Sequence, residues 1–206
     1  MLLKIGDYKT GDTTTMLRSG LSRANQLNLF LADVEKRAWR VAVVAVNNPD
    51  DAADIAQDSM LALVEKYSHK PPTEWPPLFW RILNNKIKDH LRRHKVKQRW
   101  LSFIGNPDEQ NNENPLEQLH SHDIGPLELL GAEVTAGDAY LAIQQLPNRQ
   151  REAFCLRVWE GMDVTQTATA MGCSAGSVKT HLHRALENLR QKLGAALETL
   201  PEGASS

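Results

Sequence analysis

Cysteine is scarce in this chain. Only Cys155 and Cys173 occur in 206 residues, and no CxxC pair is present. With no secretory leader in view, that usage points to a reducing compartment, the cytoplasm. Long apolar runs are also missing. None approaches the ~18–20 residues that span a bilayer, so no membrane insertion is expected. Strand-like alternation is almost absent, and there is no internal repeat. Net charge is only −1, so the overall balance does not announce a polyanionic partner. No nucleophile–base arrangement and no phosphate-cradling glycine loop can be found, which argues against an enzyme and gives no catalytic residue.

What is there is helical periodicity and a sharp charge asymmetry. Between Arg81 and Arg99 stand eight Lys/Arg and one acid, Asp89. Between Pro107 and Asp138 stand eight acids and no Lys or Arg. A basic block followed by an acidic block says more than the net charge does.

The periodicity predicts an all-α chain of two small helical domains joined by an acidic flexible linker. Residues 1–24 are polar and rich in Gly, Thr and Ser, and read as a disordered lead-in, with Met16 as a second candidate start. The first domain, 25–102, starts with a helix over 26–46 that carries Leu27, Phe30, Leu31, Val34, Ala38, Val41 and Ala42 at helical spacing. Asn47-Asn48-Pro49 ends it and opens a second helix over 49–67. Asp51, Asp54 and Asp58 fall on one stripe of that helix. Residues 68–77, SHKPPTEWPP, hold four prolines and read as a rigid loop. A long helix over 78–100 follows, apolar in front and basic behind. Residues 103–135 have linker composition.

The second domain, 136–200, is expected to hold four helices. One ends at Leu146-Pro147, one covers 148–160, and the last two form a helix–turn–helix in 161–190, GMDVTQTATAMGCSAGSVKTHLHRALENLR. Asp163 and Ser174 suit the two N-caps, and Gly172 suits the left-handed turn after Met171. Lys179, Thr180, His181, His183 and Arg184 make the start of the last helix basic and hydroxylated, as a helix entering a major groove would be. The plain alternative is a helical hairpin with a solvated basic face.

Four motifs, in order, resemble the bacterial RNA polymerase sigma factors of the extracytoplasmic-function (ECF) group. Residues 51–61, DAADIAQDSML, resemble the family's acidic helix, D-A-E-D-x-x-Q-E-x-F-L. Residues 78–93, LFWRILNNKIKDHLRR, resemble W-L-x-R-I-A-x-N…D-x-x-R-R. Residues 146–154, LPNRQREAF, resemble L-P-x-x-x-R-x-x-F/L, and 172–179, GCSAGSVK, resemble G-x-x-x-G-T-V-K. The resemblance spans about 26–195. Leu78 stands where the family prefers Trp, and Thr167 where Ile is usual.

The resemblance implies a transcription initiation subunit that binds core RNA polymerase, recognises the −10 and −35 promoter elements and promotes DNA melting. Asp51, Asp54, Gln57 and Asp58 would dock on the clamp helices of the largest polymerase subunit. Asn84, Asn85, Lys88, Arg92 and Arg93 would read the −10 element, with loop 68–77 capturing an extruded base. Trp75 is the aromatic most open to a stacking role, since Phe79 and Trp80 sit at core spacing. Lys179, Thr180, His183 and Arg184, with Arg157 on the preceding helix, would meet the −35 element, Arg184 as the bidentate reader of guanine. The acidic linker would thread the polymerase's positively charged cleft. An anti-sigma factor is an implied partner.

Two other functions compete. A stand-alone helix–turn–helix DNA-binding regulator would use only the second domain and leaves 49–102 unexplained. A metal or redox sensor would use Cys and His, but His90/His94, His120/His122 and His181/His183 lack carboxylate or Cys neighbours at ligand spacing, so no metal ligand and no cofactor is assigned. Cys155 lies on an apolar helix face and is expected in the core.

Overall fold

A computed structural model of the chain describes residues 22–104 and 136–194. The lead-in over 1–21, most of the expected linker (105–135) and residues 195–206 lie outside the described residues. All regular structure among the described residues is helical.

Helix α1 spans Arg23–Val46. The Ser22 side chain accepts from the Asn25 amide at its start, and Asn47 ends it in a left-handed conformation, φ 57°. That residue turns the chain at once into α2, Pro49–Tyr67. The Asn48 side chain caps α2 by accepting from the Asp51 amide at 3.0 Å. Pro49 occupies the first turn, where its missing N–H costs nothing. Asp50 and Asp51 add negative charge at the positive end of the helix dipole.

The proline segment is shorter as a loop than its composition predicts. A 3-10 turn covers Pro72–Glu74, and α3 starts at Trp75 and runs to Ile104. Pro76 and Pro77 therefore sit in the first turn of α3, among positions that have no helical acceptor. Helices α1, α2 and α3 pack around Val34, Ala38, Val41, Ala52, Ile55, Leu63, Phe79, Leu83 and Ile87, all buried. Phe30 meets the edge of Phe79 with ring centroids 6.0 Å apart.

The C-terminal group holds α4 (Ala136–Gln144), α5 (Asn148–Phe154), α6 (Val164–Met171) and α7 (Ala175–Leu193). The expected helix over 148–160 changes pitch. After Phe154 it widens into a π turn over Cys155–Trp159. Tyr140, Ile143, Phe154, Leu156, Met171, Val178, Leu182, Ala185 and Leu189 fill this core. Arg151 is buried at the α4–α5 corner. It donates to the Gln144 carbonyl at 2.7 Å and to Asn148 Oδ1 at 2.8 Å, which pins the turn between the two helices. Cys155 is in the core as expected, and burial pushes its thiol up to about 12.

The two groups do not stand apart. Helix α3 packs on α6, and α1 touches α4. The Tyr140 hydroxyl donates to the Val43 carbonyl of α1 at 3.3 Å.

Candidate nucleic-acid and polymerase interfaces

The helix–turn–helix is assembled as its sequence predicts. Asp163 forms a capping box with Gln166: its carboxylate accepts from the Gln166 amide at 2.7 Å, and the Gln166 side chain accepts from the Asp163 amide at 3.1 Å. Gly172 takes φ 64°, which a Cβ would strain. Ser174 caps α7 by accepting from the Ser177 amide at 3.1 Å. Val178, Leu182, Ala185 and Leu189 are buried at helical spacing and fix the rotation of α7.

That rotation turns Lys179, Thr180, His183 and Arg184 outward, all four exposed. Lys179 and Arg184 have no hydrogen bond or ion pair with the described residues. The Thr180 hydroxyl donates to the Gly176 carbonyl, and His183 lies 3.4 Å from Glu187. Arg157 is different. It is half-buried, and its guanidinium donates to the Met162 carbonyl, closing the segment before α6. In this structure Arg157 braces the motif.

On α3 the five named polar side chains do not share one face. At 3.6 residues per turn, Asn85, Lys88 and Arg92 lie within an arc of about 60°. Arg93 points elsewhere, its Nε donating to the Asp89 carbonyl at 3.3 Å. Arg92 is 3.3 Å from Asp89 and well exposed, and Asn85 is exposed. Asn84 is only 5 % exposed, and its amide nitrogen has no partner. A buried donor left unmade costs ~1–3 kcal/mol. Lys88 donates to Glu152 Oε1 of α5 at 3.0 Å.

Trp75 corrects one expectation. Its ring is 1 % exposed, its indole N–H donates to the Tyr67 carbonyl at 3.2 Å, and Phe30 lies against it at 6.1 Å. The ring shields the α2–α3 corner and offers no face to a base. Its placement at the very start of α3, rather than in a loop, is the cause.

On α2, Asp54, Gln57 and Asp58 are exposed and Asp51 is half-buried. Asp58 pairs with Lys86 of α3 at 2.9 Å, and Asp51 lies 3.5 Å from His90. Gln57 also lines a groove of about 340 Å³ between α1 and α2, with Trp39, Ala56 and Met60. An apolar floor with carboxylates beside it suits a basic, amphipathic helical partner. Among the described residues no cluster of three or more His, Cys, Asp or Glu has metal-binding geometry.

The sequence does not single out Glu160, Arg37, Arg40 or Glu152. Glu160 Oε2 accepts from Arg37 Nη1 at 2.8 Å, and Oε1 from Arg40 Nη2 at 3.4 Å. The Arg40 guanidinium lies over the Trp159 ring, 5.0 Å from its centroid. The one local signal is Arg40 itself, a charge within the apolar stripe of α1.

These elements define a helical protein with a basic helix in each half, one of them in a helix–turn–helix. Two family models match it in the same order: Sigma-70 region 2 over residues 30–96 and Sigma-70, region 4, over 137–189. The RNA polymerase sigma-E factor of Streptomyces antibioticus is 50% identical over 155 residues, covering 72% of this chain and 73% of that protein. The sigma-E factor of Streptomyces avermitilis is 34% identical over 154 residues, 72% of this chain and 74% of its own. The solved sigma factor RpoE from Bartonella quintana, in complex with the anti-sigma factor NepR, superposes with a TM-score of 0.59 at 23% identity, over 84% of this chain and 96% of that one. The chain belongs to the ECF group of RNA polymerase sigma factors, and it is a subunit for transcription initiation.

Proposed function

We propose that this sigma factor docks on core RNA polymerase through α2, reads the −10 element with α3 and the −35 element with α7, and promotes melting between them. The N-terminal unit is 25–102, the C-terminal unit 136–200, and the acidic segment 103–135 joins them through the polymerase cleft. It acts by binding, in the cytoplasm, without chemistry of its own.

One observation carries the reading. Lys179, Thr180, His183 and Arg184 all project from the first turns of a helix whose opposite side is locked into the core. Arg184 is the fork-shaped donor pair for guanine, and Lys179 a point charge for phosphate. Asn85, Lys88 and Arg92 form the corresponding stripe on α3. Asp54, Gln57 and Asp58, beside the Trp39–Met60 groove, receive the polymerase clamp helices, with Asp51 completing the stripe. Because relatives of this fold are solved with anti-sigma factors, an anti-sigma partner is proposed here as well.

Transcription with purified core polymerase on genomic DNA tests the reading. The chain should confer new start sites that core alone does not use. A chain that binds duplex DNA tightly by itself and confers no start sites is a stand-alone regulator, and the proposal fails.

A further inference from the structure

We propose that the free chain silences its own promoter-reading helix: the C-terminal unit closes over α3, and Glu160, gripped by Arg37 and Arg40, is the latch that polymerase must open. This rests on the reading of α3 as the −10 helix.

Three independent contacts converge on one seam. The Glu160 side chain is 1 % exposed although both its partners come from α1, more than a hundred residues away in sequence. Glu152, 4 % exposed, takes Lys88 out of the DNA-facing stripe and is itself held by Arg149 at 3.1 Å. Asn84 is buried with its amide nitrogen unpartnered, against a cavity of about 30 Å³ also lined by Lys88, Glu152 and Cys155. The −35 residues Lys179, Thr180, His183 and Arg184 stay exposed. Closure thus covers part of one DNA-reading surface and leaves the other open.

The chemistry of the seam is that of an interface made to separate. Much of it is ion pairs and polar groups, as in domain contacts that move. Burying charged pairs adds little net stability compared with apolar packing, whereas a specified or switched arrangement is their best-attested use. Asn84 and Lys88 gain a better environment on opening, since water or nucleotide would supply the partner that Asn84 lacks. Polymerase binding that holds the two units apart would release both residues together.

The test uses the full-length chain and three variants: Glu160→Arg, Arg37→Glu, and the swap of Glu160→Arg with Arg37→Glu and Arg40→Glu. Small-angle scattering reads compaction. The rate of thiol labelling reads access to Cys155 in the seam. The DNA probe is a mixed-sequence single-stranded oligodeoxynucleotide. Glu160→Arg should enlarge the chain, speed Cys155 labelling and raise oligonucleotide affinity roughly fivefold or more, the lower range of coupling between two sites. The swap should reverse all three. If Glu160→Arg does not fold, Arg37→Glu, which changes a partly exposed residue of α1, carries the same expectations.

A compact, unlabelled Glu160→Arg or Arg37→Glu chain overturns the latch. An opened chain with unchanged oligonucleotide affinity overturns the silencing. Transcription by the wild-type chain with core polymerase is scored separately. Start sites without any effect of the variants reject the latch alone, and absence of start sites rejects the function reading.

Discussion

Glu160 and Arg37 meet at 2.8 Å across the seam between the two halves of the chain, and the glutamate is almost wholly sealed from water. Burial is the main influence on its carboxyl and pushes it above the usual carboxylate value, against the pull of Arg37 and Arg40 and with help from Asp33. The folded chain therefore holds a proton here at a pH where the unfolded chain does not. The stabilisation is fully present below the unfolded value and is lost as pH rises through the raised one. Lowering the pH from about 7 to about 5 should thus favour wild type over Glu160→Gln. Denaturant titrations of both at several pH values check this. A difference that moves the opposite way would show that the arginines outweigh burial.

The polymerase surface is testable by charge inversion. Asp54→Lys with Asp58→Lys should weaken core binding and leave helicity unchanged, because both side chains are exposed. The Asp58–Lys86 pair is a surface pair, worth ~0–1 kcal/mol, so the fold should tolerate its loss. A pull-down titration with unchanged core affinity would remove α2 from the docking surface.

On the −35 side, Arg184→Ala should cost ~1–3 kcal/mol and relax preference at one promoter position. Lys179→Ala should weaken binding to all promoter variants and reduce the salt slope by about one unit. Binding across a −35 substitution library at two salt concentrations separates the two. A uniform loss with base preference intact would make Arg184 a phosphate contact.

The caps that hold the motif have their own cost. Asp163→Ala removes the acceptor for the Gln166 amide and should destabilise the chain by ~0.5–2 kcal/mol. Gly172→Ala forces a side chain into φ 64° and should cost roughly 1–2 kcal/mol. Thermal unfolding checks both, and neutral variants would mean that α6 and α7 are oriented by packing alone.

Local features of this fold were legible in the chain. Asp163, Gly172 and Ser174 act within four residues of themselves, so their caps and turn could be read directly. The apolar spacing of Val34, Ala38 and Val41 or of Val178, Leu182 and Ala185 likewise showed which faces are buried. The proline segment was read too broadly. Pro76 and Pro77 resemble breakers, yet at a helix start they cost nothing, and that places Trp75 in the core. Asn84, Lys88 and Arg157 were read as free polar groups, but Glu152, the Met162 carbonyl and the packing of α6 engage them. The Glu160–Arg37 pair joins residues 123 positions apart. Neither periodicity nor capping carries information across that distance, so closure of the two halves emerged only in three dimensions.

The central claim is that this chain directs initiation by reading two promoter elements while bound to polymerase. Mapping of transcription starts on genomic DNA, with core polymerase alone and with the chain added, tests it most directly. The account predicts a new set of starts that share one sequence near −10 and another near −35 at a fixed spacing, with the −35 preference altered by Arg184→Ala. No new starts, or new starts without a shared upstream pair of elements, would contradict it.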